Sequence, residues 1–255
     1  YLGGIKVKNK ILTIKNLSKS YHDKKGEIKA LEDINIDVEE KEFISIVGPS
    51  GCGKSTILSI LSDLEEKSTG EIKKDKDLTI GYMLQTDSLF FWRTILDNCL
   101  IGLEVTNKLT EENKNYVLQL LKTYGLYEFK DKYPSSLSGG MRQRVALIRT
   151  LAIKPDILLL DEPMSALDYQ SRLAISNDIY NIIKKEGKTA IMVTHDIAEA
   201  VSMSDRVIVL TKRPAVVKNI YKIELSNKST PMNNRRCKEF NKYYDMIWRD
   251  LDVHI

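Results

Sequence analysis

Gly48-Pro49-Ser50-Gly51-Cys52-Gly53-Lys54-Ser55-Thr56 is the stretch whose reading decides the fold. Its spacing is GxxxxGK[ST]. Residues 42–47 before it read as a β-branched strand, and residues 54–61 after it carry the spacing of a helix. Glycines at such a strand-to-helix turn let backbone N–H groups close around phosphate oxygens. The helix N-terminus behind them favours negative charge. In a loop of this type Lys54 reaches the β- and γ-phosphates and the Ser55 hydroxyl ligates Mg²⁺. The segment from Gly48 to Thr56 is therefore expected to bind ATP with Mg²⁺ as cofactors. A glycine-rich turn of no chemical consequence is the competing reading, and the flanking strand and helix argue against it.

Downstream, Ile157-Leu158-Leu159-Leu160-Asp161-Glu162-Pro163 is an apolar strand that ends in two carboxylates. Ligands of open α/β sheets gather at the carboxyl ends of strands, so both acids should face the phosphates. Asp161 suits the Mg²⁺ shell, and Glu162 suits a general base that polarises the attacking water. Further strands are expected over 11–14, 34–38, 78–84, 190–193, 207–210 and 215–223, with a polar turn at 22–27. Helices are expected over 111–124, 141–153, 171–185 and 237–251. Short apolar strands alternating with helices indicate a parallel sheet covered on both faces. Strand signals vanish between about residues 90 and 136, which marks an inserted, mainly helical unit.

The bulk properties narrow the function classes. The 255 residues are 42% hydrophobic and 29% charged, with a net charge of +4 spread along the chain. That balance lacks the concentrated basic stripe of a nucleic-acid binder, so no nucleic-acid partner is expected. Cys52, Cys99 and Cys237 are sparse and form no CxxC pair, which argues for reduced thiols. No apolar run approaches the roughly 20 residues of a membrane span. Residues 1–4 carry no signal-peptide core. Work at a membrane would require a partner to hold the protein there.

Leu137-Ser138-Gly139-Gly140-Met141-Arg142-Gln143-Arg144 resembles the signature motif of the ABC ATPases, which other phosphate-loop enzymes such as kinases lack. The other family elements follow in order. Gln85 resembles the Q-loop glutamine, Ser165-Ala166-Leu167-Asp168 the D-loop, and His195 the switch histidine. Tyr21 stands where the family stacks an aromatic ring on adenine. The resemblance implies an α/β fold of the P-loop NTPase (RecA-like) type, with a parallel-sheet core, an N-terminal antiparallel β subdomain and an inserted α-helical subdomain. It implies one nucleotide-binding domain over 1–255, with the helical subdomain near 90–138 and a C-terminal extension near 211–255. Segment 70–85 is shorter than the family pattern, so a trimmed β-hairpin is expected there.

By the same resemblance Lys54, Gln85, Glu162 and His195 are catalytic, and Ser55, Gln85 and Asp161 hold the metal. Ser138, Gly139 and Gly140 of a second copy would close over the γ-phosphate, with Asp168 coupling the two sites of an ATP-sandwich dimer. Two transmembrane permease subunits would dock near 85–98, fed by an extracytoplasmic solute-binding protein. The chain would then lie peripherally on the cytoplasmic face of the plasma membrane.

Phe90-Phe91-Trp92-Arg93-Thr94-Ile95, Met203-Ser204-Asp205-Arg206-Val207, Lys212-Arg213-Pro214 and Ile247-Trp248-Arg249 are most similar to importers of nitrate, sulfonates and taurine. A non-transport ABC ATPase acting on an envelope or division complex is the first alternative, and a non-catalytic nucleotide-dependent module the second. Cys52, inside the phosphate loop, is expected to be alkylated with loss of activity and protected by ATP, unless burial makes it inert.

Overall fold

Three strands buried along their whole length form the middle of the computed structural model: β3 (Phe43–Val47), β6 (Ile157–Asp161) and β7 (Thr189–Val193). Their near-continuous apolar sequences fit a sheet covered on both sides. The structure describes residues 9–23, 26–75 and 77–251. With β5 (Ile80–Met83), β8 (Arg206–Leu210) and β9 (Val217–Lys222) they make a six-stranded sheet ordered β5-β6-β7-β3-β8-β9. The first five strands are parallel, and β9 closes one edge antiparallel to β8.

Side chains alternate across this sheet. Ile157 and Leu159 pack on one face with α1 (Lys54–Leu61) and with a three-stranded antiparallel sheet. That second sheet is ordered β2-β1-β4, from β1 (Lys10–Asp23), β2 (Gly26–Glu39) and β4 (Thr69–Lys74). Leu158 and Leu160 face the other way, toward α2 (Ile95–Val105), α3 (Glu111–Thr123), α4 (Gly139–Leu151) and α5 (Tyr169–Lys185). A third cluster joins α6 (Ile197–Met203) and α8 (Lys238–Asp250) to β8; α7 (Pro231–Asn234) precedes α8. Each fully buried Leu or Ile contributes roughly 1.5–3 kcal/mol of burial free energy.

Helix starts follow local chemistry. Thr94, Thr110, Ser138, Asp168, Asp196 and Thr230 each accept a backbone N–H of the first turn of α2 to α7 in turn. The helix expected to begin at Met141 therefore begins at Gly139, one residue past its cap.

Several expected elements differ in extent. The strand expected over 11–14 runs fourteen residues and pairs with β2 in a hairpin. His22 pairs with Glu27 and Asp23 with Gly26, so residues 22–23 and 26–27 of the expected polar turn are strand; residues 24–25 lie outside the described residues. Polar residues on the exposed side, Lys and Ser in β1 and Glu, Asp and Asn in β2, hid the length of both strands. The expected trimmed hairpin at 70–85 contributes β4, paired with β1 as the third antiparallel strand. Helices α2 and α3 and two 3-10 turns, Tyr127–Phe129 and Pro134–Ser136, occupy the insertion.

The sheet order positions the site. β3 lies between β7 and β8, and β7 lies between β3 and β6. Ile46 is level with Val193, and Val193 with Asp161. The three chain segments that follow these strands thus leave the same sheet edge side by side. Glu162 N–H donates to Val193 O at 2.9 Å and Thr194 N–H to Ile46 O at 3.2 Å, which pins all three together.

Candidate active site

The loop after β3 turns through Gly51 (φ 72°) and Gly53 (φ 121°), conformations that L side chains rarely adopt. A Cβ at Gly53 would also lie 2.8 Å from Leu31. Lys54 is 6% exposed and folds its ammonium back onto its own loop, donating to Gly48 O at 2.9 Å and Pro49 O at 3.0 Å. A buried cation hydrogen-bonded to carbonyl oxygens is positioned to exchange them for phosphate oxygens.

Ser55 Oγ–H donates to Asp161 Oδ1 at 2.9 Å, and Tyr82 O–H donates to Asp161 Oδ2 at 3.1 Å. Burial pushes the Asp161 carboxyl above its ordinary value, countered in part by these two bonds. Burial first, and then the charge of Asp161, push the Tyr82 hydroxyl up to about 12, so it stays a donor. Sequence reasoning did not single out Tyr82. It reaches Asp161 through the placement of β5 beside β6, which the sequence does not display.

Glu162 follows Asp161 with φ 44°, a left-handed backbone unusual for a side-chain residue. This turns its carboxylate toward two partners. Gln85 Nε2–H donates to Glu162 Oε2 at 3.2 Å and also reaches Ser165 Oγ at 3.4 Å. His195 Nδ1 lies 3.1 Å from the same Oε2. Glu162 also lines a cleft of ≈ 290 Å³ with Tyr21, Ser50, Gly51, Lys54 and Ser55. Tyr21 stands at its margin, its hydroxyl 3.3 Å from Thr56 Oγ1 and its ring under the Lys19 ammonium. A phosphate loop, a hydroxyl–carboxylate pair and a second carboxylate between amide and imidazole thus meet at one sheet edge.

Ser138, Gly139, Gly140 and Asp168 lie elsewhere. They line a separate cleft of ≈ 440 Å³ with Ser171 and Ile175, and none of them lines the phosphate-loop cleft. Arg213 was legible only as part of a subgroup pattern. Its guanidinium donates to Gly51 O from both Nε, at 3.1 Å, and Nη2. Two arginines of α4 were also missed: Arg142 Nε pairs with Asp87 Oδ2 at 2.9 Å, and Arg149 donates to the carbonyls of Asp87 and Ser88, both at 2.7 Å. They clamp the segment just after Gln85.

Of the two readings expected for Cys52, the structure places it on the buried one. It is 2% exposed and points into the core, and burial pushes its thiol up despite the nearby Lys54 ammonium. The thiolate, not the thiol, is the nucleophile. Iodoacetamide is therefore expected to label Cys237, which is half-buried, well before Cys52. Peptide mapping that finds Cys52 labelled first would contradict this.

This architecture, with its phosphate loop and acidic strand end, defines a phosphate-loop nucleoside triphosphatase. The chain belongs to the ABC transporter family, whose model matches residues 31–165, and is an ATP-binding, ATP-hydrolysing member of it. The ABC transporter ATP-binding protein YtlC of Bacillus subtilis (strain 168), itself uncharacterized, is 43% identical over 94% of this chain and 95% of that protein. The nitrate import ATP-binding protein NrtD of Synechocystis is 36% identical over 92% and 93%. Among solved structures, the dimeric post-hydrolysis state of the ATP-binding cassette MJ0796 bound to ADP and Pi superposes with a TM-score of 0.70. It is 34% identical and covers 84% of this chain and 99% of that one.

Proposed function

We propose that this chain is the ATP-hydrolysing subunit of an importer for a small solute such as nitrate, a sulfonate or taurine. The observation that carries the reading is the convergence of Gln85 and His195 on Glu162 at the mouth of the phosphate loop. Lys54 leaves the Gly48 and Pro49 carbonyls for the β/γ-phosphates, and Glu162 takes the proton of the attacking water. His195 and Gln85 hold that carboxylate in place. Tyr21 offers its ring to adenine.

The donor chemistry of the metal-site residues suits Mg²⁺. Mg²⁺ takes one or two protein oxygens and fills its shell with water and phosphate. Ser55 Oγ and Asp161 Oδ1, adjacent hard oxygens, fit that demand. Gln85 would join them through its amide oxygen. When bound, Mg²⁺ neutralises charge on the phosphate oxygens.

Ser138, Gly139 and Gly140 serve a second copy. Because their cleft is separate from the phosphate-loop cleft, a two-fold, head-to-tail pair is the arrangement in which both could act on one nucleotide. Asp168, beside them, couples the two sites. ATP then favours the closed dimer and hydrolysis reopens it.

Phe91 and Trp92, 74% and 60% exposed, lie a short segment downstream of Gln85 and offer an apolar patch to two transmembrane permease subunits. Among the described residues no helix is long and apolar enough to cross a membrane. The chain would therefore lie peripherally on the cytoplasmic face of the plasma membrane, with an extracytoplasmic solute-binding protein serving the permease. We place the helical subdomain near 90–138 and the C-terminal extension near 211–255 of one domain.

The test is co-purification, followed by reconstitution of the complex. A permease pair and a solute-binding protein whose nitrate- or taurine-loaded form stimulates ATP hydrolysis are expected. Isolation with cell-division or envelope proteins alone would transfer the chain to the non-transport class.

A further inference from the structure

His195 occupies a short bridge between β7 and α6, and about half of its side chain is exposed. The groups that aim it lie beneath. Thr194, 1% exposed, donates its hydroxyl to Glu199 Oε2 at 2.7 Å, and its Oγ accepts Asp196 N–H at 3.0 Å. Asp196 Oδ1 in turn accepts Glu199 N–H at 3.0 Å. Both neighbours of His195 are therefore tied to Glu199, a carboxylate only 4% exposed.

The charge of Glu199 meets Arg172 of α5. Arg172 Nε is 3.7 Å from Glu199 Oε1, and Nη1 is 3.5 Å from Asp196 Oδ2. Its Nη2 donates to Leu167 O at 3.4 Å. Leu167 belongs to segment 165–168, where Ser165 also accepts from Gln85 and Asp168 lines the second cleft. A continuous chain of contacts therefore runs from segment 165–168 through Arg172 and Glu199 to Thr194 and His195.

An apolar pair of similar volume would hold this region together at least as well, because desolvation offsets most of what a buried ion pair contributes. What an apolar pair cannot supply is direction. Glu199 fixes a hydroxyl and Arg172 fixes a carbonyl, each at one geometry.

We propose that Arg172 and Glu199 are positioning residues that link segment 165–168 to His195. The link holds the imidazole against Glu162, where its Nδ1 already lies 3.1 Å from Oε2, and carries movement of that segment on dimer closure to it. The inference rests on the proposed roles of Glu162 and His195.

The test compares Glu199→Gln, Thr194→Val, their double variant and Arg172→Lys with His195→Ala. The readouts are steady-state ATPase rates, fluorescent-ATP binding and thermal melting. Each relay variant is expected to lower kcat by about 10- to 100-fold, with KM and binding within about twofold of wild type. The double variant should fall no further than the worse single one, since its members act as a unit.

Relay variants that keep wild-type kcat while His195→Ala loses it would overturn the inference alone. So would an additive double variant, or a KM that rises along with the loss of rate. A wild-type rate in Arg172→Lys would remove segment 165–168 from the link, because lysine keeps the charge and loses the planar fork. Retained hydrolysis in His195→Ala would instead overturn the underlying site reading. If Glu199→Gln does not fold, Thr194→Val carries the same comparison.

Discussion

Glu162→Gln is expected to reduce ATP turnover by about 10²- to 10⁴-fold while leaving ATP bound. Glutamine keeps the volume and length of the side chain, so the left-handed backbone at this position (φ 44°) and the Val193 contact are untouched. What goes is the negative charge, and with it the ability to accept a proton. The neighbouring donors remain in place, since Gln85 and His195 can still bond to the amide oxygen. Binding should hold because the loop carbonyls that position Lys54 are set by β3 and α1. With hydrolysis blocked, the nucleotide that favours the closed pair is no longer consumed, so dimer should accumulate with ATP and dissolve with ADP. Light scattering after gel filtration, beside a phosphate-release assay, reads both effects. Near-normal phosphate release from this variant would remove Glu162 from the general-base role.

The sequence exposed this site unevenly, for physical reasons. The phosphate loop was legible because its demands are local: glycines that turn, a lysine and a hydroxyl at a helix start. The acidic strand end was legible for a related reason, since β6 is an uninterrupted apolar run and its two carboxylates break the pattern abruptly.

Tyr82, Arg142, Arg149, Arg172, Glu199 and Arg213 were opaque for the opposite reason. Each acts on a group far away in sequence or on a backbone atom, and neither leaves a pattern. Tyr82 reaches Asp161 only because β5 is the strand beside β6, and strand order is a tertiary fact. Glu199 sits in α6, a short helix buried nearly all round, whereas a glutamate ordinarily faces solvent. The burial of its carboxylate follows from the packing of α6, beside Arg172. The long β1–β2 hairpin was truncated in the reading because its solvent face is polar, with lysine and serine on β1 and glutamate, aspartate and asparagine on β2. Cys52 was legible only as a choice between a reactive thiol and an inert, buried one, because a loop sequence does not fix where a side chain points. The turn at Gly51 and Gly53 sends its side chain inward, against the β3–α1 core.

Ser138→Arg is expected to separate nucleotide binding from dimer closure. The residue caps α4, accepting Met141 N–H at 3.3 Å, so the substitution forfeits that bond at a cost of about 0.5–2 kcal/mol. Such a loss leaves an ordinary domain folded, and a thermal melt against Ser138→Ala isolates the cap from the added charge. Binding of ATP should stay within about twofold of wild type, because Ser138 lines none of the phosphate-loop cleft. The arginine would instead fill the second cleft, where Gly139 and Gly140 already leave little room. A Cβ on Gly140 would stand 3.0 Å from Ile175. No partner's triphosphate could then approach the helix start. Built into the Glu162→Gln background, which should otherwise trap the pair, Ser138→Arg should remain monomeric at saturating ATP, and turnover in the single variant should fall by on the order of 100-fold or more. ATP-driven dimerisation of the double variant would mean that the two clefts never share a nucleotide, and a different site would have to account for the signature-like segment.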